Sequence, residues 1–159
     1  MTTNVVVAGL GGQGVVKASD VLADAVFRCG LDVKKSEIHG MSQRGGSVAS
    51  DVRFGLKVQS PMIPHGQADF LIVVAPDQVD VNRHVLKNQG MLISPESLAK
   101  APGKLQAKSI NVALLGVLSA ALDIPLDVWE DAIRANFAEK HHRLNLEAFQ
   151  QGRQAAALA

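Results

Sequence analysis

A chain of 159 residues, 47% hydrophobic and 19% charged, carries enough apolar material for one domain with its own core and is no candidate for intrinsic disorder. A formal net charge of +1 gives no general attraction to nucleic acid or to an acidic membrane, and five Phe, one Trp and no Tyr are too few for a base-stacking platform. The single cysteine, Cys29, rules out an internal disulfide and any CxxC zinc or iron–sulfur ligand set, a usage that fits a reducing cytoplasm.

The first apolar run, Val5–Ala8, is short and continuous and ends in glycines, the pattern of a fully buried strand. It is too short to span a membrane and has no basic segment before it. From Gly14 to Cys29, apolar residues recur at helical spacing and Gly30 supplies a stop. The segment LDVKKSE then predicts a brief second strand. A polar, glycine-containing loop runs from His39 to Gly46. Beyond it Val48, Ser50, Val52 and Phe54 alternate with Ala49, Asp51 and Arg53, and Gly55-Leu56-Lys57 leads to Val58, which reads as a hairpin in a mixed sheet. ADFLIVVA is a second buried strand. PDQVDVNRHVLKNQG predicts a short helix, with Pro76 near its start and Gly90 past its end, and MLISP a further strand. KLQAK is a candidate edge strand. Three helices are predicted to follow: a buried one over Ile110–Leu122, an amphipathic one over Asp127–Phe137, and a last one over His141–Gln154. Together these elements predict a single domain over 1–159, a three-layer α/β/α fold with a mixed, mostly parallel sheet and C-terminal helices.

Two loops carry the chemistry. Gly9-Leu10-Gly11-Gly12-Gln13-Gly14 satisfies G-x-G-x-x-G between a strand and a helix, where glycines permit close backbone approach and free N–H groups face an anion. A dinucleotide site also needs an acidic residue near the end of the second strand, about 20 residues on. Lys34 and Lys35 occupy that place and Glu37 comes late. The second loop, KKSEIHGMSQRGGSV, gathers basic, acidic, imidazole, amide and guanidinium groups around Gly40, Gly45 and Gly46. Both loops follow strands, so both are expected at one edge of the sheet, where open α/β sheets place their crevice.

GLGGQGVVKASDVLADA, DVKKSEIHGMSQRGGSVASDVRFG and SPMIPHGQADFLIVVAPDQ resemble the gamma-type domain of 2-oxoacid:ferredoxin oxidoreductases, and more particularly the small subunits of the indolepyruvate type. NVALLGVLSAAL and NLEAFQQG resemble the C-terminal helices of that family, so the likeness covers almost the whole chain. The resemblance implies an accessory subunit, inert alone, of an enzyme that oxidatively decarboxylates a 2-oxoacid, passes two electrons to ferredoxin and transfers the acyl group to coenzyme A. It implies thiamine diphosphate, Mg and iron–sulfur clusters on a larger catalytic partner, coenzyme A as co-substrate, and neither nucleic acid nor membrane as partner. It implies an active-site edge made of Gly11, Gly12, Gln13, Gly14, Glu37, Gln43, Arg44, Gly45 and Gly46, with His39 as the one candidate for proton exchange. Arg44 suits a coenzyme A phosphate or a substrate carboxylate because its planar fork bonds two oxygens at once.

Other readings of the same residues stand beside this one. A free-standing NAD(P)- or flavin-binding oxidoreductase domain would use the first glycine loop. Arg44 and Glu37 would pair with each other or with a partner subunit, and His39 would serve as a structural hydrogen-bonding group. His141-His142 reads as solvent-facing or interfacial, with no metal-ligand spacing around it. Cys29 reads as a small buried hydrophobe, Met41 and Met62 as packing residues, and Lys34 and Lys35 as a solvated strand end.

Overall fold

The computed structural model describes residues 1–40 and 46–159. β1 (Thr2–Leu10) is buried continuously from Asn4 to Gly9, as its unbroken apolar run requires of a strand covered on both faces. α1 (Val15–Arg28) follows it and leads to β2 (Asp32–His39). β3 (Ser47–Gly55), β4 (Ala68–Val73) and β5 (Leu86–Ile93) complete a five-stranded sheet in the order β2-β3-β1-β4-β5. β3 lies between β2 and β1 and is antiparallel to both, whereas β1, β4 and β5 run parallel. Among the described residues, then, β3 is the one reversed strand of a mixed sheet. Its alternation is as the sequence predicts: Val48, Ser50, Val52 and Phe54 are buried and the residues between them are half-buried.

The two faces of the sheet are covered unequally. Val5 and Val7 face a large core shared with α1, α3 (Ile110–Ser119), α4 (Leu126–Asn136) and α5 (His142–Leu158). Val6, Ala8, Leu71 and Val73 face a small core closed by Ile63, by Val79 on the one-turn helix α2 (Val79–Asn82) and by Val85. α3 is apolar nearly all round and buried from Asn111 to Ser119, because α5 covers the side turned from the sheet. The two helices approach at Gly116 and Gly152, where a methyl on either would overlap the backbone carbonyl of Phe149 or Ala113. No helix among the described residues is long and apolar enough to cross a membrane.

Several expectations need correction. The hairpin is β2–β3, with His39 opposite Val48, and the N–H of Gly40 donates to the Ser47 carbonyl at 2.6 Å. Gly55 is no turn but a strand residue opposite Thr2 and Asp32. It is glycine because the Met1 carbonyl lies where a Cβ would be. Val58 is buried but outside any strand, held by an N–H bond to Asp32 Oδ2 at 2.7 Å. Between Pro76 and Gly90 the helical part ends at Val85 and Leu86 begins β5. The open edge of β4 takes this segment as a strand partner, and the ion pair between Lys87 and Asp69 joins them. Gly90 sits inside β5, where a Cβ would crowd Leu86 and the Ala68 carbonyl, so it serves a bulge and not a helix stop. KLQAK is irregular chain running into a 3-10 turn at Ala107–Ser109. Cys29 is exposed, because α1 ends at Arg28 and the next residue leaves the apolar stripe. Met62 is exposed too, on the thinly covered face, and Met41 lies outside the described residues.

Candidate functional site

The glycine loop is shaped by its own backbone and by one side chain. Gly12 and Gly14 have φ of 86° and 78°, left-handed values that L-residues adopt only at a cost. Gln13 Oε1 accepts the Leu10 N–H at 2.8 Å, so this side chain braces the turn. Gly14 caps α1 with no side-chain bond, and the first turn of the helix holds no acidic residue. The helix therefore presents free N–H groups and the positive end of its dipole, with Lys17 beside them.

The second loop meets the first as the sequence predicts. Gly11 donates its N–H to the Gly46 carbonyl at 2.8 Å. A crevice of about 280 Å³ opens where they join, lined among others by Gly11, Gly12, Gly14, Lys17 and His39. Gln43, Arg44 and Gly45 lie outside the described residues.

Charge on β2 is organised by Lys35, which is no solvated strand end: its side chain is 21% exposed. Its ammonium donates to Asp20 Oδ1 on α1 at 2.5 Å and to Glu37 Oε1 at 2.9 Å. Burial alone would lower the Lys35 pKa, but the two carboxylates more than offset this and raise it. The Lys35 bond is the main reason the Glu37 carboxyl is held below its ordinary value. Glu37 thus pairs with Lys35, and its other oxygen lies 3.7 Å from His39 Nε2. His39 itself is exposed, reaching the crevice from the end of β2. His39 is therefore brought to the glycine edge, Glu37 stands behind it on Lys35 and does not line the crevice, and Gln13 is turned into the loop. The other histidine pair is structural in part: His142 Nε2 lies 2.8 Å from the Phe137 carbonyl and 2.9 Å from that of Arg134, closing the end of α4.

A second crevice, of about 570 Å³, lies on the other side of the same loop. It opens at the carboxyl ends of β1, β4 and β5, beside Gly12, Val74 and Pro95. α1 packs on one face of the sheet and α2 on the other, which makes the β1–β4 boundary a topological switch point. Lys17, Lys108 and Asn111 line it, and sequence reasoning had singled out none of them for the site. The one available signal was Asn111, a polar residue interrupting an apolar helix.

The pyruvate ferredoxin/flavodoxin oxidoreductase family matches residues 4–108 and 95–155. The chain belongs to this family. The indolepyruvate oxidoreductase subunit IorB of Archaeoglobus fulgidus is 34% identical over 190 residues, spanning 96% of this chain and 94% of that protein. The gamma subunit of a keto/oxoacid ferredoxin oxidoreductase from Geobacter sulfurreducens has the same fold, with a TM-score of 0.79 at 21% identity over 100% of this chain and 98% of its own. The 2-oxoglutarate:ferredoxin oxidoreductase of Magnetococcus marinus, solved with 2-oxoglutarate, coenzyme A and succinyl-CoA bound, aligns with a TM-score of 0.82 at 20% identity. There the match spans 99% of this chain but 31% of the other, so the same fold forms one part of a longer polypeptide. This family member is a small subunit of the 2-oxoacid:ferredoxin oxidoreductases, and the free-standing dinucleotide-domain alternative gains no support from these relatives.

Proposed function

We propose that the chain is the small subunit of an indolepyruvate-type 2-oxoacid:ferredoxin oxidoreductase, working in the cytoplasm with a larger catalytic subunit. The observation that carries this reading is the 34% identity to an indolepyruvate oxidoreductase subunit over nearly the full length of both chains. The overall reaction converts an aryl pyruvate, coenzyme A and two oxidised ferredoxins to aryl acetyl-CoA, carbon dioxide, two reduced ferredoxins and a proton. Its redox part needs donors that this chain does not supply, since one cysteine cannot ligate an iron–sulfur cluster. The larger subunit therefore holds the clusters and the Mg-bound thiamine diphosphate, which supplies the decarboxylation chemistry.

The contribution of this chain is an anion-accepting edge. The backbone N–H groups of Gly12 and Gly14 and the α1 N-terminus sit beside Lys17, while the Gly11 N–H is taken by the Gly46 carbonyl that ties in the second loop. His39, oriented near Glu37, stands where a proton is to be exchanged or an anion met. The family resemblance assigns Arg44, with Gln43 and Gly45, to holding a carboxylate or a phosphate, a role its planar fork suits. The test is co-expression with the larger subunit and an anaerobic assay of ferredoxin reduction by an aryl pyruvate and coenzyme A. Activity in the complex and none in either chain alone is expected. Arg44→Ala should raise KM for coenzyme A or the oxoacid. Turnover by this chain alone, or a complex that ignores aryl pyruvates, would refute the proposal.

A further inference from the structure

The large core is roofed by α1, α3, α4 and α5, but the opposite face of the sheet is not so covered. Among the described residues it is closed by the loop around Ile63 and the one-turn helix α2, and a crevice of about 340 Å³ stays open over Val6 and Ala49. Three large apolar side chains stand in water around it: Ile38 on β2 is 57% exposed, Met62 61% and Val81 on α2 60%. They come from three separate segments yet rim one opening, which makes them a contiguous patch and not scattered surface residues.

The rim is held in place. Arg53 Nη1 donates to the carbonyls of Ser60 and Met62, each at 3.0 Å, and Asp51 Oδ2 accepts the Ile63 N–H at 3.0 Å, so the chain around Met62 is pinned to β3. The rings of His65 and His84 stack with centroids 5.1 Å apart, which ties the Met62 loop to the 3-10 turn directly after α2, the helix that carries Val81. Holding apolar side chains out in water gains the free chain nothing, but it removes an ordering cost from association. Two observations say what covers the patch. The first is position. Val48 lines both this crevice and the one at the glycine-loop junction. Ile38 immediately precedes His39 on β2, so the two side chains turn to opposite faces at the same end of the strand. A chain that meets the glycine edge therefore reaches the patch without a break. The second is charge. Asp51 lies half-buried in the crevice wall, burial raises its pKa, and among the described residues its side chain accepts one hydrogen bond, from Ile63. A carboxylate so placed is matched by a cation.

We propose that this patch seats the larger catalytic subunit, through an apolar segment that fills the crevice and brings a lysine or arginine to Asp51. The inference rests on the two-subunit reading above for the partner, and on the patch itself for the place. The full chain and the separately purified larger subunit are mixed anaerobically, and Kd is read by sedimentation velocity. Met62→Asp and Val81→Glu, at exposed positions, should leave the Tm of the chain unchanged and weaken association about thirtyfold or more. Asp51→Asn keeps an acceptor for the Ile63 N–H and should weaken association about tenfold. Phe27→Lys, at a position 68% exposed on α1 and so on the other side of the sheet, should leave Kd as it is. Unchanged affinity in Met62→Asp and Val81→Glu, or an equal loss in Phe27→Lys, would overturn the proposal and leave the two-subunit reading standing. Unchanged affinity in Asp51→Asn would overturn the basic contact. A chain that sediments alone as a dimer, and as a monomer in Met62→Asp, would give the patch to a second copy and overturn the proposal as well. A parent chain that binds no larger subunit refutes the two-subunit reading, and the occupant falls with it.

Discussion

Adding one methyl to the glycine loop should have very different consequences at two positions two residues apart. Gly12 and Gly14 share a left-handed backbone, with φ of 86° and 78°. Alanine in that conformation costs about 1–2 kcal/mol, while the stiffer unfolded chain returns about 0.5 kcal/mol. At Gly12 that is the whole effect, since nothing lies within 4 Å of the new Cβ. Gly12→Ala should therefore lose about 1 kcal/mol. At Gly14 the Cβ would overlap Asn111 Nδ2 and lie 3.0 Å from Asn111 Cγ. The buried amide must swing away, which breaks its 3.1 Å bond to the Gly14 carbonyl and leaves Nδ2 unpaired beside an already unpaired Oδ1. The lost bond is worth about 1 kcal/mol and the stranded group about 1–3 kcal/mol, so Gly14→Ala should lose about 3–5 kcal/mol in all. Urea unfolding followed by circular dichroism reads both values from the midpoint, provided the slope m is unchanged. Equal losses for the two variants would refute the reasoning, because they would mean that the Asn111 contact carries none of the loop's stability.

Gly152→Ala should destabilise by about 3 kcal/mol or more, because its Cβ would overlap the Ala113 carbonyl, whose carbon lies 2.8 Å away, and force α3 and α5 apart; a Tm within 2 °C of the parent's would show that the helices are not so closely packed. Glu37→Gln should be less stable than the parent near neutral pH. Lys35 holds the folded-state Glu37 pKa below the ordinary value, so the stabilisation is complete above about pH 4.5 and is lost as pH falls through the folded value. The difference between the two should close on acidification, and a constant gap down to pH 2 would contradict the Lys35–Glu37 pairing. Exposed Cys29 should react with a thiol reagent in the native chain as fast as in denaturant, whereas protection in the native state would restore the buried assignment.

Burial pattern and glycine punctuation were legible without a structure. The run Val5–Ala8 demanded a strand covered on both faces, the helical spacing after Gly14 demanded α1, and the alternation through Val52 demanded a half-buried strand. These are local properties: a period of 3.6 or 2 and a left-handed glycine are set by neighbouring residues alone. That two glycine loops follow strands was legible for the same reason, and the bond between Gly11 and Gly46 joins them at the edge where open sheets place a crevice.

Tertiary structure decided the rest, because each remaining question depended on what a segment meets far along the chain. Leu86–Gly90 has a helix-compatible pattern, yet the open edge of β4 draws it into the sheet. Gly55 reads as a turn until the Met1 carbonyl is seen to occupy its Cβ position. Lys35 reads as solvated until Asp20, fifteen residues earlier, is placed against it. Asn111 reads as a blemish in an apolar helix until its amide is found on the Gly14 carbonyl, ninety-seven residues away. Periodicity prescribes which side of an element is buried, but not which other element, loop or ligand buries it. The crevice between α1 and α3 exists only once the sheet brings those two helix ends together.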